Sequence, residues 1–216
     1  ASAFGYQGQK CSAASRLIVH AALYDRLVER LIPAVSGLRV CDPVEPRCDL
    51  GPLIDPEALT RVTTAVTEAA VSSTCLYRAP ADRLPAEGYF AGPALFAEVD
   101  PRSPVAQEEL FGPVVCLFRV RSFSEGLALA NDTAYGLTGG VYSRSPSNLQ
   151  EAIDAFQVGN LYLNRPITGS IVGRQPFGGY KLSGLGTKAG GPDYLLQLVV
   201  PKTICENTAR HGIPLE

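Results

Sequence analysis

Extended and helical segments alternate along this chain. Short apolar and β-branched runs predict seven extended segments, at residues 16–20, 75–78, 90–99, 114–120, 137–143, 160–164 and 195–205. Amphipathic or capped segments between them predict four helices, at residues 23–36, 56–72, 123–131 and 146–157. Strands that alternate with helices assemble into layered α/β folds. Because the run 114–120 is apolar on both faces, as in a buried parallel strand, we expect a largely parallel twisted sheet flanked by helices.

Local signals mark where several of these elements begin. Asp55 before Pro56 is a typical helix start, since a capping side chain is followed by a proline in the first turn. Ser122 and Glu125 have the spacing of a capping box. Residues 165–192, in contrast, are glycine-rich and irregular. A loop of this length within a compact domain usually has a function.

Composition argues against several classes of partner. Hydrophobic residues make up 46% of the 216 residues and charged residues 19%, as in one sizeable globular domain with at most an extension. The formal net charge is −2 and basic residues form no block, so binding to nucleic acid is not supported. We also expect no membrane span, because no apolar run approaches the required length, and no signal peptide pattern is present.

The cysteines are scattered and suggest neither a metal site nor a disulfide framework. Six occur without a CxxC pair, and only two histidines accompany them. We interpret them as reduced thiols of an intracellular protein, in the bacterial cytoplasm or the mitochondrial matrix, and we expect no metal. Cys41 and Cys48 are near enough in sequence to approach each other in a loop, but two unpaired thiols are the favoured interpretation.

One cysteine, Cys11, lies in a sequence that suits a nucleophile. In FGYQGQKCSAASRLIV (residues 4–19), small and polar residues lead directly into an apolar stretch. Cys11 is therefore expected at the rim of a sheet, where substrates reach it. Lys10 adds a neighbouring positive charge, which favours the reactive thiolate. Because single cysteines are commonly buried structural thiols, this motif alone leaves both interpretations open.

Further motifs follow in a characteristic order. QEELFGPV spans residues 107–114 and PFGGYKLSGLG spans residues 176–186. Together with GQKC, they make the chain resemble the aldehyde dehydrogenase superfamily from residue 4 to about residue 207. NRPITGSIVGRQPFGG (residues 164–179) and GGPDYLLQ (residues 190–197) are most similar to the family of 1-pyrroline-5-carboxylate dehydrogenases, which oxidise L-glutamate γ-semialdehyde in proline catabolism.

The resemblance implies a fold, a reaction and a cofactor. The expected fold is the three-layer α/β catalytic domain of these enzymes, and the reaction is the NAD-dependent oxidation of a small-molecule aldehyde. Cys11 would be the catalytic nucleophile, passing through a thiohemiacetal and a thioacyl intermediate. The developing oxyanion needs hydrogen-bond donors. In the family these are the backbone N–H of the cysteine and an asparagine upstream of it.

The resemblance assigns cofactor binding to Glu109 and Phe111. A carboxylate accepts hydrogen bonds from a ribose diol more strongly than a neutral side chain does, which suits Glu109. The Phe111 ring would pack near the same ribose. The structural alternative is that Glu109 belongs to a solvated helix end before the strand 114–120.

Four residues are assigned to the substrate. Gly169 and Ser170 offer backbone N–H groups and a hydroxyl, which can bind a carboxylate without burying a full positive charge. The resemblance makes them the anchor of the α-carboxylate, joined by Ser12. Phe177, before two glycines, is expected to wall off the aliphatic chain. An ordinary glycine-containing turn, and core packing of Phe177, are the structural alternatives.

Parts of the family's machinery are expected outside this chain. The dinucleotide-binding domain, the general-base glutamate and the second oxyanion donor precede the nucleophile in the family, and no GxGxxG occurs here. Because the chain lacks methionine and begins within a motif, we interpret it as a piece of a longer polypeptide, with negligible turnover alone. Residues 1–194 would be the catalytic domain and residues 195–216 an oligomerisation strand and tail. The expected partners are the missing N-terminal domain and further copies in a homo-oligomer.

Two other functions stay open. One is a dehydrogenase of another semialdehyde, such as succinate semialdehyde, which would share Cys11 and Glu109 and differ in the loop 168–175. The other is a non-catalytic oligomerisation or regulatory module of a bifunctional protein, although such a role needs no thiol in GQKC. The choice between NAD and NADP is open as well, since it depends on upstream residues.

Overall fold

The computed structural model describes residues 1–171 and 173–207 and has a four-stranded sheet at its centre. Its strands are β1 (Arg16–His20), β2 (Thr74–Arg78), β3 (Ala94–Ala97) and β4 (Val114–Val120). The order is β1-β4-β3-β2, in which β4 runs parallel to both β1 and β3. The edge strand β2 joins β3 in the antiparallel direction. The predicted α/β fold with a mostly parallel sheet is confirmed.

The helices flank this sheet. Within the described residues they are α1 (Ala21–Ser36), α2 (Pro56–Ser72), α3 (Pro104–Gln107), α4 (Phe123–Asn131) and α5 (Pro146–Ala155). All four predicted helices are present, with ends displaced by two residues at most. The single turn α3 was not predicted, because four residues are too few to show helical periodicity.

The predicted capping residues begin their helices. The Asp55 carboxylate accepts a hydrogen bond from the Ala58 N–H at 2.6 Å and caps α2. The Ser122 hydroxyl accepts one from the Glu125 N–H at 3.1 Å and caps α4. The Glu125 carboxylate binds the N–H of Arg121 at 2.7 Å, so the predicted capping box closes one residue earlier than expected.

Apolar side chains bury both faces of the central sheet. Successive residues of β4 point to opposite faces, and every residue of this strand except Arg119 is buried. One face packs against α2 in a cluster that includes Val62, Val66, Phe96, Val114, Cys116 and Phe118. The other face packs against α1 in a cluster of Val19, Tyr24, Val35, Leu95, Val115 and Leu117. The sheet is thus the middle of three layers.

Two small sheets lie beside this core. Their strands are β5 (Tyr135–Gly136), β6 (Thr138–Val141), β7 (Asn160–Leu163) and β8 (Tyr180–Lys181). β6 and β7 run parallel, whereas β5 and β8 pair in the antiparallel direction. β6 and β7 are shorter forms of the strands predicted at residues 137–143 and 160–164. Similarly, only residues 94–97 of the predicted extended segment 90–99 form a strand.

The prediction of an extended segment at residues 195–205 is wrong in its first part. Tyr194–Leu198 is a 3-10 helix, and residues 199–207 form neither helix nor strand. An extended backbone needs a neighbouring strand, and none pairs with this segment among the described residues, so local bonds form instead. The Leu196 N–H, for example, donates to the Asp193 carbonyl at 3.1 Å. Residues 208–216 of the predicted tail lie outside the described residues.

Two kinds of feature are absent from the part of the chain that the structure describes. None of its helices is long and apolar enough to cross a membrane. None of its groups of histidine, cysteine, aspartate and glutamate brings together the three ligands that would hold a metal ion.

Candidate active site

Cys11 lies in a tight turn between the 3-10 helix Gly5–Gly8 and β1. The Lys10 carbonyl accepts a hydrogen bond from the Ala13 N–H at 2.9 Å, which places Cys11 at the second position of a four-residue turn. Its thiol is exposed, as a nucleophile must be. Within residues 1–171 and 173–207 the Cys11 N–H donates to no acceptor, so it is available to an oxyanion.

Gly8 brings this turn against the segment that contains Glu109 and Phe111. Its φ is +71°, and a side-chain carbon there would lie 2.2 Å from the Gly112 carbonyl oxygen. Only a glycine permits both this left-handed conformation and this approach. The backbone at Gly8 thus joins the predicted nucleophile segment to the predicted cofactor segment.

The side chains on either side of Gly8 are held by residues 51–54. The Gln9 amide donates to the Pro52 carbonyl at 3.4 Å and accepts from the Ile54 N–H at 3.0 Å. The Gln7 amide, oriented to satisfy both of its polar atoms, accepts from the Gly51 N–H at 2.7 Å. Residues 51–54 therefore support the turn that presents Cys11.

Lys10 is placed differently from the sequence prediction. Its ammonium lies 4.1 Å from the centre of the Tyr6 ring, in a cation–π contact. Among the described residues, this ring is the partner of the Lys10 charge, and no contact with the Cys11 sulfur is formed. Tyr6 has a φ of 56°, a left-handed conformation that orients the ring at the start of the turn.

The two-stranded sheet β6–β7 presents one polar face. Thr138 is paired with Asn160 in the register, and two positions further on Gly140 is paired with Tyr162. Residues two apart in a strand point to the same side, so these four positions share one face. Gly139 belongs to the opposite face, which packs against the Phe156 ring. We call the first of these the β6–β7 polar face.

The β6–β7 polar face contacts two segments with predicted substrate-binding serines. The Thr138 hydroxyl donates to the Ser12 carbonyl at 3.5 Å, across 126 residues of sequence. The hydroxyls of Tyr162 and Ser170 lie 2.5 Å apart. Ser12 is buried and Ser170 is half-buried. The sheet thus brings the residue after the predicted nucleophile and the predicted carboxylate anchor to the same surface.

Asn160, on the same face, holds the backbone on both sides of Phe177. Its side-chain amide donates to the Pro176 carbonyl at 2.9 Å and accepts from the Gly178 N–H at 3.3 Å. Phe177 itself exchanges two backbone hydrogen bonds with Ala189, and its ring is half-buried. This clamp fixes the position of the ring that was predicted to line the substrate site.

Lys188 provides a second attachment of the same loop. Its ammonium donates to the carbonyls of Gly159 and Gly178, at 2.5 and 2.6 Å. Burial lowers the pKa of Lys188. The ammonium therefore connects the start of β7 with the loop around Phe177.

Gly169 and Ser170 present unbonded donors. Gly169 is exposed, with a φ of +89°, and a side-chain carbon added there would meet nothing within 4 Å. Within the described parts of the chain, neither the Gly169 N–H nor the Ser170 N–H donates to an acceptor. The same loop is tied to the N-terminal segment, because the Ile167 N–H donates to the Ser2 hydroxyl at 3.2 Å. Two adjacent free N–H groups and a hydroxyl can bind an anion.

Glu109 and Phe111 lie at the turn before β4. The Glu109 side chain is exposed, and its carboxylate has no partner among residues 1–171 and 173–207. Phe111 is half-buried and has a φ of 54°. Arg61 of α2 donates a hydrogen bond to the Leu110 carbonyl at 3.1 Å and so attaches this turn to the helix. An unpaired, accessible carboxylate is chemically suited to the hydroxyls of a ribose.

Three residues of the β6–β7 polar face were missed by the sequence predictions. Thr138, Asn160 and Tyr162 were predicted only as parts of strands. β6 has one polar side chain, that of Thr138. Along β7, Asn160 and Tyr162 alternate with leucines, and this alternation was the available signal. It did not identify their partners, which are distant in sequence.

Comparison with known proteins gives the family. A protein-family model described as "Aldehyde dehydrogenase family" matches residues 1–204. The chain belongs to the aldehyde dehydrogenase family. The resemblance to this family, predicted from the motifs, is thereby confirmed. The similarity of the chain to 1-pyrroline-5-carboxylate dehydrogenases is confirmed as well, as the following relatives show.

The 1-pyrroline-5-carboxylate dehydrogenase of Geobacillus kaustophilus (strain HTA426) is 45% identical over 206 residues, covering 95% of this chain and 40% of the relative. The proline utilization A (PutA) protein of Bdellovibrio bacteriovorus, inactivated by N-propargylglycine, has a TM-score of 0.91 at 45% identity, covering 100% of this chain and 22% of that one. The 1-pyrroline-5-carboxylate dehydrogenase from Thermus with bound NAD has a TM-score of 0.83 at 48% identity, covering 90% of this chain and 37% of that one. The chain thus spans well under half the length of these relatives.

Proposed function

We propose that this chain is the nucleophile-bearing part of an NAD-dependent dehydrogenase that oxidises L-glutamate γ-semialdehyde to L-glutamate. The observation that carries the proposal is the β6–β7 polar face, which attaches the segments of Ser12, Ser170 and Phe177 to one surface beside an exposed Cys11 thiol. The relatives named 1-pyrroline-5-carboxylate dehydrogenase support the substrate class.

The first chemical step belongs to Cys11. Its thiolate adds to the aldehyde carbon, a carbon–sulfur bond forms, and the carbonyl π electrons move onto oxygen. The unbonded Cys11 N–H lies on the same residue as the sulfur and donates to the developing oxyanion. The product is a tetrahedral thiohemiacetal whose carbon–hydrogen bond is now activated.

In the second step the oxyanion re-forms the carbonyl and the hydrogen leaves with its electron pair as hydride. NAD, when bound, supplies the hydride acceptor. Glu109 and Phe111 are the residues of this chain that would hold it, since an exposed, unpaired carboxylate fits the ribose hydroxyls. Water then attacks the thioacyl carbon and gives its proton to the general base that is expected upstream of this chain. The carbon–sulfur bond breaks, L-glutamate is released, and Cys11 returns to the thiolate.

The substrate's α-carboxylate and aliphatic chain are held by the loop after β7. The free N–H groups of Gly169 and Ser170, with the Ser170 hydroxyl, bind the carboxylate as hydrogen-bond donors. Tyr162 orients that hydroxyl. The half-buried Phe177 ring covers the methylene groups, while the clamp from Asn160 keeps the ring in place.

Selective alkylation tests the role of Cys11. We expect iodoacetamide to modify Cys11 about tenfold faster than Cys75, because the unbonded Cys11 N–H can bind the carbonyl oxygen of the reagent next to the sulfur. Cys75 is the matched control, since it is also an exposed free thiol. Peptide mapping after short incubations measures both rates. Equal rates, or a slower reaction at Cys11, would remove it as the nucleophile and favour a non-catalytic module.

Steady-state kinetics of the full-length protein test the anchor. Ser170→Ala should lower kcat/KM for glutamate semialdehyde by about tenfold while leaving propanal, which has no carboxylate, within about twofold. Tyr162→Phe should give a smaller loss in the same direction. Equal losses for both aldehydes would contradict the anchor. A higher kcat/KM of the unmodified protein for succinate semialdehyde would favour the other dehydrogenase.

The 216 residues alone should turn over negligibly. They contain no GxGxxG and span 40% of the length of the Geobacillus relative. NADH absorbance with the isolated chain and glutamate semialdehyde measures this directly. An ordinary enzymatic rate would show that this chain carries a complete site.

Assembly is a separate proposal. We propose that residues 195–207 pack against a second copy of the protein in a homo-oligomer. The large apolar side chains exposed along this segment are Leu195, Leu196, Leu198, Val199, Val200 and Ile204. Such a contiguous exposed patch is typical of an interaction site. Light scattering should show that the unmodified protein is a homo-oligomer and that the double variant Leu196→Lys, Val200→Lys is dissociated. An unmodified protein that is monomeric would contradict this proposal.

A further inference from the structure

Two cysteines outside the candidate active site lie at the ends of one short loop. The Cys41 N–H donates to the Leu50 carbonyl at 3.0 Å, and the Asp49 N–H donates to the Arg39 carbonyl at 3.1 Å. The Asp49 carboxylate accepts a hydrogen bond from the Arg39 N–H at 2.9 Å. These contacts close residues 41–48 into a loop whose two ends, Cys41 and Cys48, are held side by side.

The Cys48 side chain contacts the backbone of Cys41 directly. The Cys48 sulfur donates to the Cys41 carbonyl at 2.9 Å and to the Leu50 carbonyl at 3.3 Å. Both are half-buried free thiols, in agreement with the sequence interpretation of two unpaired cysteines, and they lie close together in the loop, as their spacing in the sequence allowed. A disulfide requires two backbones that are already close, and this loop provides them.

We propose that Cys41 and Cys48 form a reversible intramolecular disulfide by exchange with a small disulfide such as oxidised glutathione. A thiolate of the pair attacks one sulfur of the oxidant, which expels one thiol and leaves a mixed disulfide. The second cysteine then attacks the protein sulfur of this mixed disulfide and expels the other thiol. Two protein thiols are oxidised and one disulfide is reduced to two thiols.

The surroundings of the pair set the pH dependence of this exchange. Partial burial, the hydrogen bond with Cys48, and the negative charges of Glu45 and Asp49 together raise the pKa of Cys41 to about 11. Because the thiolate is the attacking form, the exchange should be slow at neutral pH and faster as the pH rises.

The loop connects this pair to the nucleophile turn. Cys48 is followed within six residues by Gly51, Pro52 and Ile54, which hold the side chains of Gln7 and Gln9. Cys11 lies two residues beyond Gln9. A disulfide at the base of this loop therefore stiffens the support of the turn that carries Cys11. This inference concerns the thiol pair itself and does not depend on the proposed activity.

Peptide mapping tests the bond. The reduced chain is incubated with oxidised and reduced glutathione, free thiols are alkylated, and the protein is digested with trypsin. Cleavage after Arg39, Arg47 and Arg61 separates the two cysteines, so the disulfide appears as peptide 40–47 joined to peptide 48–61. Cys75→Ser should keep this product and Cys41→Ser should abolish it. Glutathione on both cysteines without the joined peptide, or two free thiols, would overturn the proposal.

Two further measurements separate a disulfide that matters from an incidental one. Oxidation should raise Tm by about 5 °C, reversed by dithiothreitol, because an eight-residue loop is constrained in the unfolded chain. Cys41→Ser should show no such shift, and an unchanged Tm in the oxidised protein would overturn the stiffening. In molecules whose Cys11 is not itself oxidised, the rate of Cys11 alkylation should differ at least twofold between the protein with the Cys41–Cys48 disulfide and the reduced protein. Equal rates would overturn the link to the nucleophile turn.

Discussion

At the scale of single residues, backbone conformation decides where the nucleophile segment lies. Gly8 has a φ of +71° and touches Gly112, and both facts follow from the absence of a side chain. Cys11 was identified from its sequence motif, but its exposure depends on the turn closed by Lys10 and Ala13. The charge of Lys10 contacts the Tyr6 ring, so sequence adjacency did not predict its partner.

Gly8→Ala tests this close approach. The new methyl group would lie 2.2 Å from the Gly112 oxygen, in a left-handed backbone conformation, so the free energy of unfolding should fall by about 2 kcal/mol or more. Gly5→Ala is the matched control, because a side-chain carbon there meets nothing within 4 Å. Urea unfolding of both variants measures the difference. A Gly8→Ala protein as stable as Gly5→Ala would contradict the contact.

At the scale of elements, the strands β6 and β7 organise the candidate site. Their existence was predicted from short apolar runs, and both were found. Their register puts Thr138, Asn160 and Tyr162 on one face, and it is the register that selects which loops they hold. Periodicity specifies which residues share a face, but a strand's partner depends on the packing of the whole chain.

Asn160→Ala should loosen the loop around Phe177. Two hydrogen bonds to Pro176 and Gly178 are lost, so trypsin should cleave after the exposed Arg174 about tenfold faster, as expected for roughly 1.4 kcal/mol of lost local stability.

The matched control for this experiment is Asn131→Ala. The Asn131 amide makes the same kind of two-bond clamp, to the Ala155 carbonyl and the Gln157 N–H, both at 2.8 Å, away from the loop. Asn131→Ala and Asn160→Ala should lower the global free energy of unfolding by similar amounts. Cleavage after Arg174 that accelerates equally in both variants would show that general destabilisation, rather than the clamp, protects the loop.

At the scale of the whole molecule, the three layers bury ionisable groups. Burial raises the pKa of Cys116, on β4, to about 12, and the nearby Arg16 guanidinium offsets part of this effect. The pKa of Arg16 is lowered, mainly by burial, and its side chain lies 5.3 Å from the Phe118 ring. The apolar run 114–120 predicted the burial of Cys116, but the sequence did not predict the partial burial of Arg16, because the burial of a charged side chain is a property of the assembled layers.

The buried Cys116 thiol makes stability depend on alkaline pH. An unfolded thiol ionises near pH 9, whereas the folded one keeps its proton up to about pH 12. The unfolded state therefore binds fewer protons in this window, and the free energy of unfolding should fall by up to about 1.4 kcal/mol per pH unit above pH 9.

Urea unfolding at several pH values measures this slope. Cys41 and Tyr24, whose pKa values are also raised, contribute in the same direction, so the test is a difference between two proteins. Cys116→Ala should be less stable at neutral pH, because it leaves a cavity, but its stability should fall less steeply above pH 9. Identical slopes in both proteins would contradict a buried, protonated Cys116.

Local chemistry in the sequence was sufficient to predict most of the helices and strands and to predict the family. The strand Arg16–His20, the helix Pro56–Ser72 with its Asp55 cap, and the GQKC motif each depend on residues close together in the chain. Apolar periodicity, capping side chains and glycine conformations act over a few residues, so a sequence displays them directly.

Only the tertiary structure decided which of these local features meet. The hydroxyl of Thr138 reaches Ser12 across 126 residues, and the Cys48 sulfur reaches the Cys41 carbonyl because backbone hydrogen bonds bring the two ends of their loop together. Such contacts depend on strand register and on the burial of both sheet faces, which are determined by the packing of the whole chain. The sequence by itself therefore determined most of the elements and predicted Cys11 as the nucleophile, and packing determined which strands and loops lie together around it.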